Sequence, residues 1–170
     1  MPSVRINYQN KRTKKPNNFL IIDSREKLPL KFYETEHYQI KNEGMSFGDY
    51  GLEINGKLVC SFERKSASDL HGTLTGGHER FKREMQRAAE SGVPFFVIVE
   101  SSYNSILNKT YPEAWRIKED GESSVKRIHS MQVKYKLPFI FCQSREEMQN
   151  YIKRFFEAYI RNYKKITISE

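Results

Sequence analysis

The run VPFFVIVE at residues 93–100 constrains this chain more than any other stretch. Its apolar residues do not alternate with polar ones, so a strand built from it must bury both faces and lie inside a sheet. A sheet with an interior strand of that kind needs packed layers on each side. The segments around it supply them. FLIID at 19–23 reads as a strand that ends on a carboxylate, followed by the polar turn SREKLP, which Pro29 closes. LPFIFC at 137–142 reads as another strand.

Residues 44–62 read as a hairpin, GMSFGDYGLEI and KLVCSFE joined by Asn55-Gly56, because both turn residues accept the positive φ of a type I′ turn. Strict alternation along the second arm puts Leu58, Cys60 and Phe62 on one face and Val59, Ser61, Glu63 and Lys65 on the other. Ser66 then opens a helix with Asp69 as its capping-box partner. Gly72, Gly76 and Gly77 loosen the chain before a second helix, HERFKREMQRAAES, whose apolar stripe is Phe81, Met85, Ala88 and Ala89. SYNSILNK reads as a short helix, 111–124 as a polar loop anchored by Trp115, and SSVKRIHSMQVKYK as a further helix. The closing helix, SREEMQNYIKRFFEAYIRNYKK, repeats Met148, Ile152, Phe155, Tyr159 and Tyr163 on one face, widened by Tyr151 and Phe156. That stripe suits core packing and leaves a homodimer contact open. Strands alternating with helices give an α/β class with a mixed central sheet flanked by helices.

The chain has 170 residues with 38% hydrophobic and 13% aromatic content, enough for one domain with a real core. Cys60 and Cys142 sit inside apolar runs with no CxxC spacing, so buried reduced thiols are expected rather than a zinc site or a disulfide. His37, His71, His78 and His129 show no ligand spacing. No apolar run is long enough to cross a bilayer, and the basic opening MPSVRINYQNKRTKKPNN has no apolar core of a secretory signal. An intracellular location follows, the cytoplasm of a bacterium or phage or a eukaryotic nucleus. The formal charge of +8 favours a polyanionic partner, nucleic acid before an acidic membrane surface. Lys11, Arg12, Lys14 and Lys15 supply part of that excess in what reads as a basic arm over 1–18.

Three acids fall at strand ends or edges: Asp23, Asp49 and Glu63. Metal-assisted phosphodiester hydrolysis uses such sets, because Mg²⁺ takes hard oxygen ligands and keeps waters and substrate phosphate in its remaining positions. Lys65, two residues beyond Glu63, suits a charge-stabilising or water-orienting role. Asp49 with Glu63-x-Lys65 thus fits a D…(D/E)xK plan of nucleases. Such a pattern also recurs by chance among surface charges. Register is a further condition: a two-residue loop pairs Asp49 with Phe62, on the face opposite Glu63. Bringing the acids together needs a bulge in the first arm or an end to the strand there, and Gly48 and Gly51 permit either.

The longer order of motifs is more specific. IIDSRE at 21–26, GDY at 48–50, ERKSASDL at 63–70 and GGHERF at 76–81 together resemble the nuclease domain of the XPF-type structure-specific endonucleases, which include the archaeal Hef nuclease. The resemblance covers residues 19 to about 87, and the later alternation is compatible with a nuclease domain over 19–165 and a tail at 166–170. It implies a restriction-endonuclease-like three-layer fold. It also implies a Mg²⁺- or Mn²⁺-dependent endonuclease acting on flap, fork or four-way-junction DNA in repair, recombination or replication. By the same resemblance Asp49 and Glu63 are metal ligands with the Arg64 carbonyl, Asp23 is an additional acid near the metal, and Lys65 is the base. Arg25, Glu26, Arg64, Asp69 and Arg80 match supporting positions.

Plainer roles exist for some of these: Asp69 as a cap, Arg80 paired with Glu84, Arg25 with Glu26 as a turn ion pair. The chain departs from the family pattern in the long spacing between Asp49 and Glu63, in the spread GGHER with Glu84 where the family usually has glutamine, and in having no room after Glu170 for a tandem helix-hairpin-helix module. The basic arm, or Lys153, Arg154, Arg161, Lys164 and Lys165, would then supply phosphate contacts, unless either group is only solvated charge. Two other readings remain open, a non-catalytic branched-DNA-binding subunit and a restriction-type duplex endonuclease.

Overall fold

The structure, a computed structural model, describes residues 15–76 and 78–168, apart from the side chains of His78 and residues 164–168. Lys11, Arg12 and Lys14 of the basic arm, Gly77, and the side chains of Lys164 and Lys165 lie outside the described residues.

Six strands form one sheet in the order β2-β1-β3-β4-β5-β6. They are β1 (Asn18–Asp23), β2 (Gln39–Glu43), β3 (Tyr50–Ile54), β4 (Lys57–Ser66), β5 (Phe95–Glu100) and β6 (Phe139–Cys142). The helices are α1 (Ala67–Thr75), α2 (His78–Ser91), α3 (Tyr103–Asn108), α4 (Gly121–Tyr135) and α5 (Arg145–Ile168). β3 alone runs against its neighbours, so the carboxyl ends of the other strands share one end of the sheet. The VPFFVIVE run is β5, held between β4 and β6.

Its two faces bury against different layers. Val97 and Val99 join Leu70, Phe81, Met85, Ala88, Ile106, Val125 and Ile128 under α1 to α4. Ile98 joins Leu20, Leu52, Cys60, Phe62, Met148, Ile152 and Phe156 under α5. This is the three-layer α/β arrangement of the restriction-endonuclease-like fold. Met148, Ile152 and Phe156 are fully buried, so much of the α5 stripe is core. Both cysteines are free and buried.

One strand went unread, and four readings need correction. β2 has no apolar alternation to announce it, because it is an edge strand, QIKNE, with Ile40 as its one apolar residue and pairing on one side only. Gly72 does not loosen the chain but lies inside α1, and Ala89 is exposed rather than part of the α2 stripe. Trp115 does not anchor its loop: it is 81% exposed, and Tyr111 and Ala114 are buried instead. Glu113, with φ of 65°, turns the chain so that the short 3-10 turn Ala114–Arg116 sends its first residue inward and its second outward. Finally, a register shift opposite Leu52 and Glu53 leaves Val59 of β4 without a partner. Leu58 thereby packs toward α1 to α4, while Val59, Cys60 and Phe62 all join the α5 side.

The Asn55-Gly56 turn has φ of 52° and 79°, as a type I′ connection requires. Gly48 is more demanding. Its φ is 76°, and a Cβ there would run into Ser61 Oγ and lie 3.0 Å from the Phe62 carbonyl oxygen. Gly48→Ala is therefore expected to destabilise the protein by about 2 kcal/mol or more, whereas Gly72→Ala, with open space around it in a helix, should stabilise by about 0.5–1 kcal/mol. Chemical denaturation of the two variants checks both signs.

Candidate active site

The sequence motifs meet at the shared end of the sheet. Asp23 closes β1, Asp49 immediately precedes β3, and Glu63 and Lys65 lie on the last turnless stretch of β4 before Ser66 caps α1. The unpaired Val59 shifts the hairpin by one residue, so Tyr50 pairs with Phe62 and Asp49 comes opposite Glu63. The bulge is thus in the second arm, whereas the sequence allows a bulge in the first arm or an end to the strand there. Backbone bonds lock the result: the Asp23 amide donates to the Asp49 carbonyl at 2.8 Å, and the Asp49 amide donates to the Phe62 carbonyl at 2.7 Å. Across the hairpin, the Arg64 amide donates to Asp49 Oδ2 at 2.8 Å.

Asp23, Arg25, Gly48, Asp49, Glu63, Arg80, Glu84 and Arg87 line one cavity of about 240 Å³, with Ser46. A second, of about 480 Å³, opens on the other side of Glu63 along Lys65, Asp69, Gly72 and Thr73. Glu63 is only 7% exposed. Burial, then the neighbouring Asp49 carboxylate, pushes its pKa up to about 8, against the pull of Lys65. Burial also pushes Asp49 up, to about 6, against the Arg64 amide that lowers it. Lys65 Nζ donates to Glu63 Oε1 at 2.5 Å and lies 5.2 Å from the centre of the Phe81 ring.

Asp23 differs. Burial would raise its pKa, but Arg25 more than offsets this, donating from Nε at 3.0 Å, from its second guanidinium nitrogen at 2.6 Å and from its own amide at 2.8 Å. Both carboxylate oxygens of Asp23 are therefore already engaged. Arg25 pairs with Asp23 rather than Glu26, whose Oε1 accepts from the Leu28 amide. The Arg64 side chain turns away to Glu100 at 3.4 Å, which Arg145 also approaches at 3.6 Å. Asp69 is exposed, with its amide donating to Ser66 Oγ at 3.1 Å.

The wall supplied by α2 was only partly readable. Arg80, Glu84 and Arg87 stand beside the buried Phe81, Met85 and Ala88, at spacings that stack them on one helix face. That spacing was the available signal for Arg87, which the motifs do not include. Glu84 does not pair with Arg80. It accepts from the Gly48 amide at 2.8 Å, and Arg87 Nε donates to the Ser46 carbonyl at 2.8 Å. Among the described residues, Arg80 forms no ion pair, and no three His, Cys, Asp or Glu side chains are grouped so as to hold a metal ion.

The ERCC4 domain matches residues 22–155, most of the chain. This chain belongs to the ERCC4 domain family. That membership agrees with the XPF-type nuclease domain to which the four motifs pointed. Two solved structures are similar to this ERCC4 domain. One is XPF from Aeropyrum pernix, 20% identical, covering 88% of this chain and 68% of that one with a TM-score of 0.62. The other is XPF from Aeropyrum pernix in complex with DNA, 20% identical, covering 86% of this chain and 65% of that one with a TM-score of 0.56. The chain spans about two thirds of the length of each. Likeness at this identity establishes the fold. No curated protein matches. No described helix of this ERCC4 domain is long and apolar enough to cross a membrane.

The electrostatics predict a pH dependence. Glu63 releases its proton near its ordinary 4.5 in the unfolded chain but near 8 in the folded one. Folding therefore takes up a proton between those values, and stability falls as pH rises through that window. In chelator, the melting temperature should drop from about pH 5 to pH 8, and Glu63→Gln should flatten most of that drop. A flat wild-type profile would contradict the burial of Glu63. The α2 contact makes a separate prediction: Glu84→Ala should speed amide exchange at Gly48 by about tenfold, while Glu84→Gln, which keeps an acceptor oxygen, should leave it within about threefold.

Proposed function

We propose that this ERCC4 domain is a divalent-metal-dependent endonuclease that hydrolyses phosphodiester bonds in branched DNA (flap, fork or four-way junction), as in repair, recombination or replication. The observation that carries the reading is the meeting of Asp49, Glu63 and Lys65 at one end of the sheet, achieved against the natural register of their hairpin. The DNA-bound relative and the chain's +8 charge support a DNA substrate.

The donor set fits Mg²⁺ or Mn²⁺. Two carboxylates, Glu63 buried and Asp49 half-buried, repel each other with one ammonium bonded to Glu63, and they offer the hard oxygen donors such an ion takes. Asp49 and Glu63, with the Arg64 carbonyl, would hold it, and Asp23 would stand behind them in its pairing with Arg25. A bound cation of this kind lowers the pKa of its water and neutralises charge on the phosphoryl oxygens. Lys65, fixed by Glu63 and Phe81, places one positive charge where an attacking water is oriented or the pentavalent phosphorus gathers charge. Arg80, exposed on the cavity wall, is a phosphate contact that positions the scissile strand. On α5, Tyr151, 38% exposed and stacked on Phe155 with ring centres 6.2 Å apart, is the face a second copy would use.

Labelled flap, fork, four-way-junction and linear duplex DNA, incubated with Mg²⁺, Mn²⁺ or chelator, provide the test. Cleavage of a branched substrate is expected with either ion and not in chelator. Asp49→Ala, Glu63→Ala and Lys65→Ala should each lower the rate by at least about a hundredfold. Metal-independent binding without scission would instead identify a non-catalytic DNA-binding subunit. Discrete cutting of linear duplex without branch preference would identify a restriction-type enzyme.

A further inference from the structure

The chain has a single tryptophan, and it is 81% exposed. A single exposed aromatic is ordinary on a protein surface, so what matters is how this one is held. Here it is not on a loose tip. Tyr111 and Ala114 beside it are buried, at 8% and 5% exposed, and seat the loop on the core. The Arg116 amide donates to the Glu113 carbonyl at 2.9 Å and the Ile117 amide to the Ala114 carbonyl at 3.1 Å. Lys109 Nζ reaches across to the Ile117 carbonyl. The segment is fixed at both ends with its indole outward.

One face of the indole carries a guanidinium: the Arg116 Cζ lies 4.9 Å from the ring centre. Arg116 is itself held by Glu113 at 3.5 Å. The exposure of Trp115 leaves its other face to solvent. An aromatic ring backed by arginine is the surface on which unpaired nucleobases stack, independent of sequence, because every base has a π-face. Nearby acids do not spoil it for a polyanion. Glu113 is paired with Arg116, Glu119 with Arg127 at 2.8 Å, and Asp120 caps α4, while Lys118 is exposed.

The loop is also joined to the cleft. Glu119 approaches His71 of α1 at 3.5 Å, and the next two residues of α1, Gly72 and Thr73, line the cavity beside Lys65. α1 therefore has the cleft on one side and the tryptophan loop on another.

We propose that Trp115 and Arg116 form a stacking platform for an unpaired base of the DNA substrate. The proposal rests on the nuclease reading above and adds to it the place where an unpaired base of a branched substrate is held.

The sole tryptophan makes the test direct. Intrinsic emission and the anisotropy of end-labelled DNA are followed together in chelator, with oligo-dT, a flap, a four-way junction and a linear duplex. Oligo-dT and flap should quench the emission over the same concentrations at which anisotropy rises, and duplex should leave it nearly unchanged. Trp115→Ala should weaken oligo-dT binding about tenfold and Trp115→Phe by no more than about threefold, with duplex affinity unchanged within about twofold. Anisotropy that rises on oligo-dT without quenching, or undiminished binding by Trp115→Ala, overturns the platform while leaving the nuclease reading intact. No binding to any DNA also overturns the platform, and the cleavage assay with Mg²⁺ or Mn²⁺ decides the nuclease reading separately. A concentration-dependent emission shift without DNA would assign Trp115 to a protein contact instead, and would also overturn the platform.

Discussion

The hydrogen bond from the Arg64 amide to the Asp49 carboxylate depends on β4 containing one residue more than β3 can match. With perfect two-residue-turn pairing, Asp49 would face the α5 layer, among Cys60 and Phe62, and the motif acids would sit on opposite sides of the sheet. The unpaired Val59 removes that conflict. It sends its own side chain into the α5 layer along with Cys60 and lets everything after it change face relative to β3. A bulge next to a candidate catalytic group is a common way to re-aim a side chain. Here it re-aims a whole arm.

The segment leading into Asp49 is held at four consecutive residues by three different parts of the chain. Met45 bonds through its amide to Asp23 and through its carbonyl to Arg25. The Ser46 carbonyl accepts from Arg87, the Phe47 carbonyl from Ser61 Oγ, and the Gly48 amide donates to Glu84. Together these bonds bind β1, β4 and α2 to one turn. Such over-determination is what a strained, positive-φ residue needs if it is to stay put. It also gives α2 two jobs on adjacent faces: Phe81, Met85 and Ala88 pack the core, and Arg80, Glu84 and Arg87 build the cavity wall.

What could be read from the residues and what could not divides along physical lines. Ser66 and Asp69 were legible because capping is local, and the Ser66 hydroxyl does accept from the Asp69 amide. VPFFVIVE was legible because burial on both faces erases alternation. Asn55-Gly56 fixed the hairpin but not its register, since Val59 looks like any strand residue and only the packing against α5 explains its slip. Trp115 was misread because a large aromatic in a polar loop is usually an anchor, and the αL turn at Glu113 that reverses it carries no residue signature. β2 was silent because an edge strand satisfies half its backbone in water and needs no apolar pattern. For the site, the ordered motifs named Asp49, Glu63 and Lys65, yet the saturation of Asp23 by Arg25 needed coordinates.

That saturation bears on how the acids divide the work. Asp23 is held below the ordinary carboxylate range and is satisfied by a cationic partner, so it neither asks for another cation nor takes up a proton easily. Glu63, buried, and Asp49, half-buried, are raised, lie near one lysine, and are costly to keep ionised together. Folding tolerates that cost because the two cores on either side of β4 are otherwise continuous and apolar. The same imbalance gives a divalent ion a reason to bind: it would remove the repulsion that burial has amplified. In this arrangement Asp23 and Arg25 act as the fixed corner from which the Met45–Gly48 turn is hung, and the destabilised pair is what that corner holds in place.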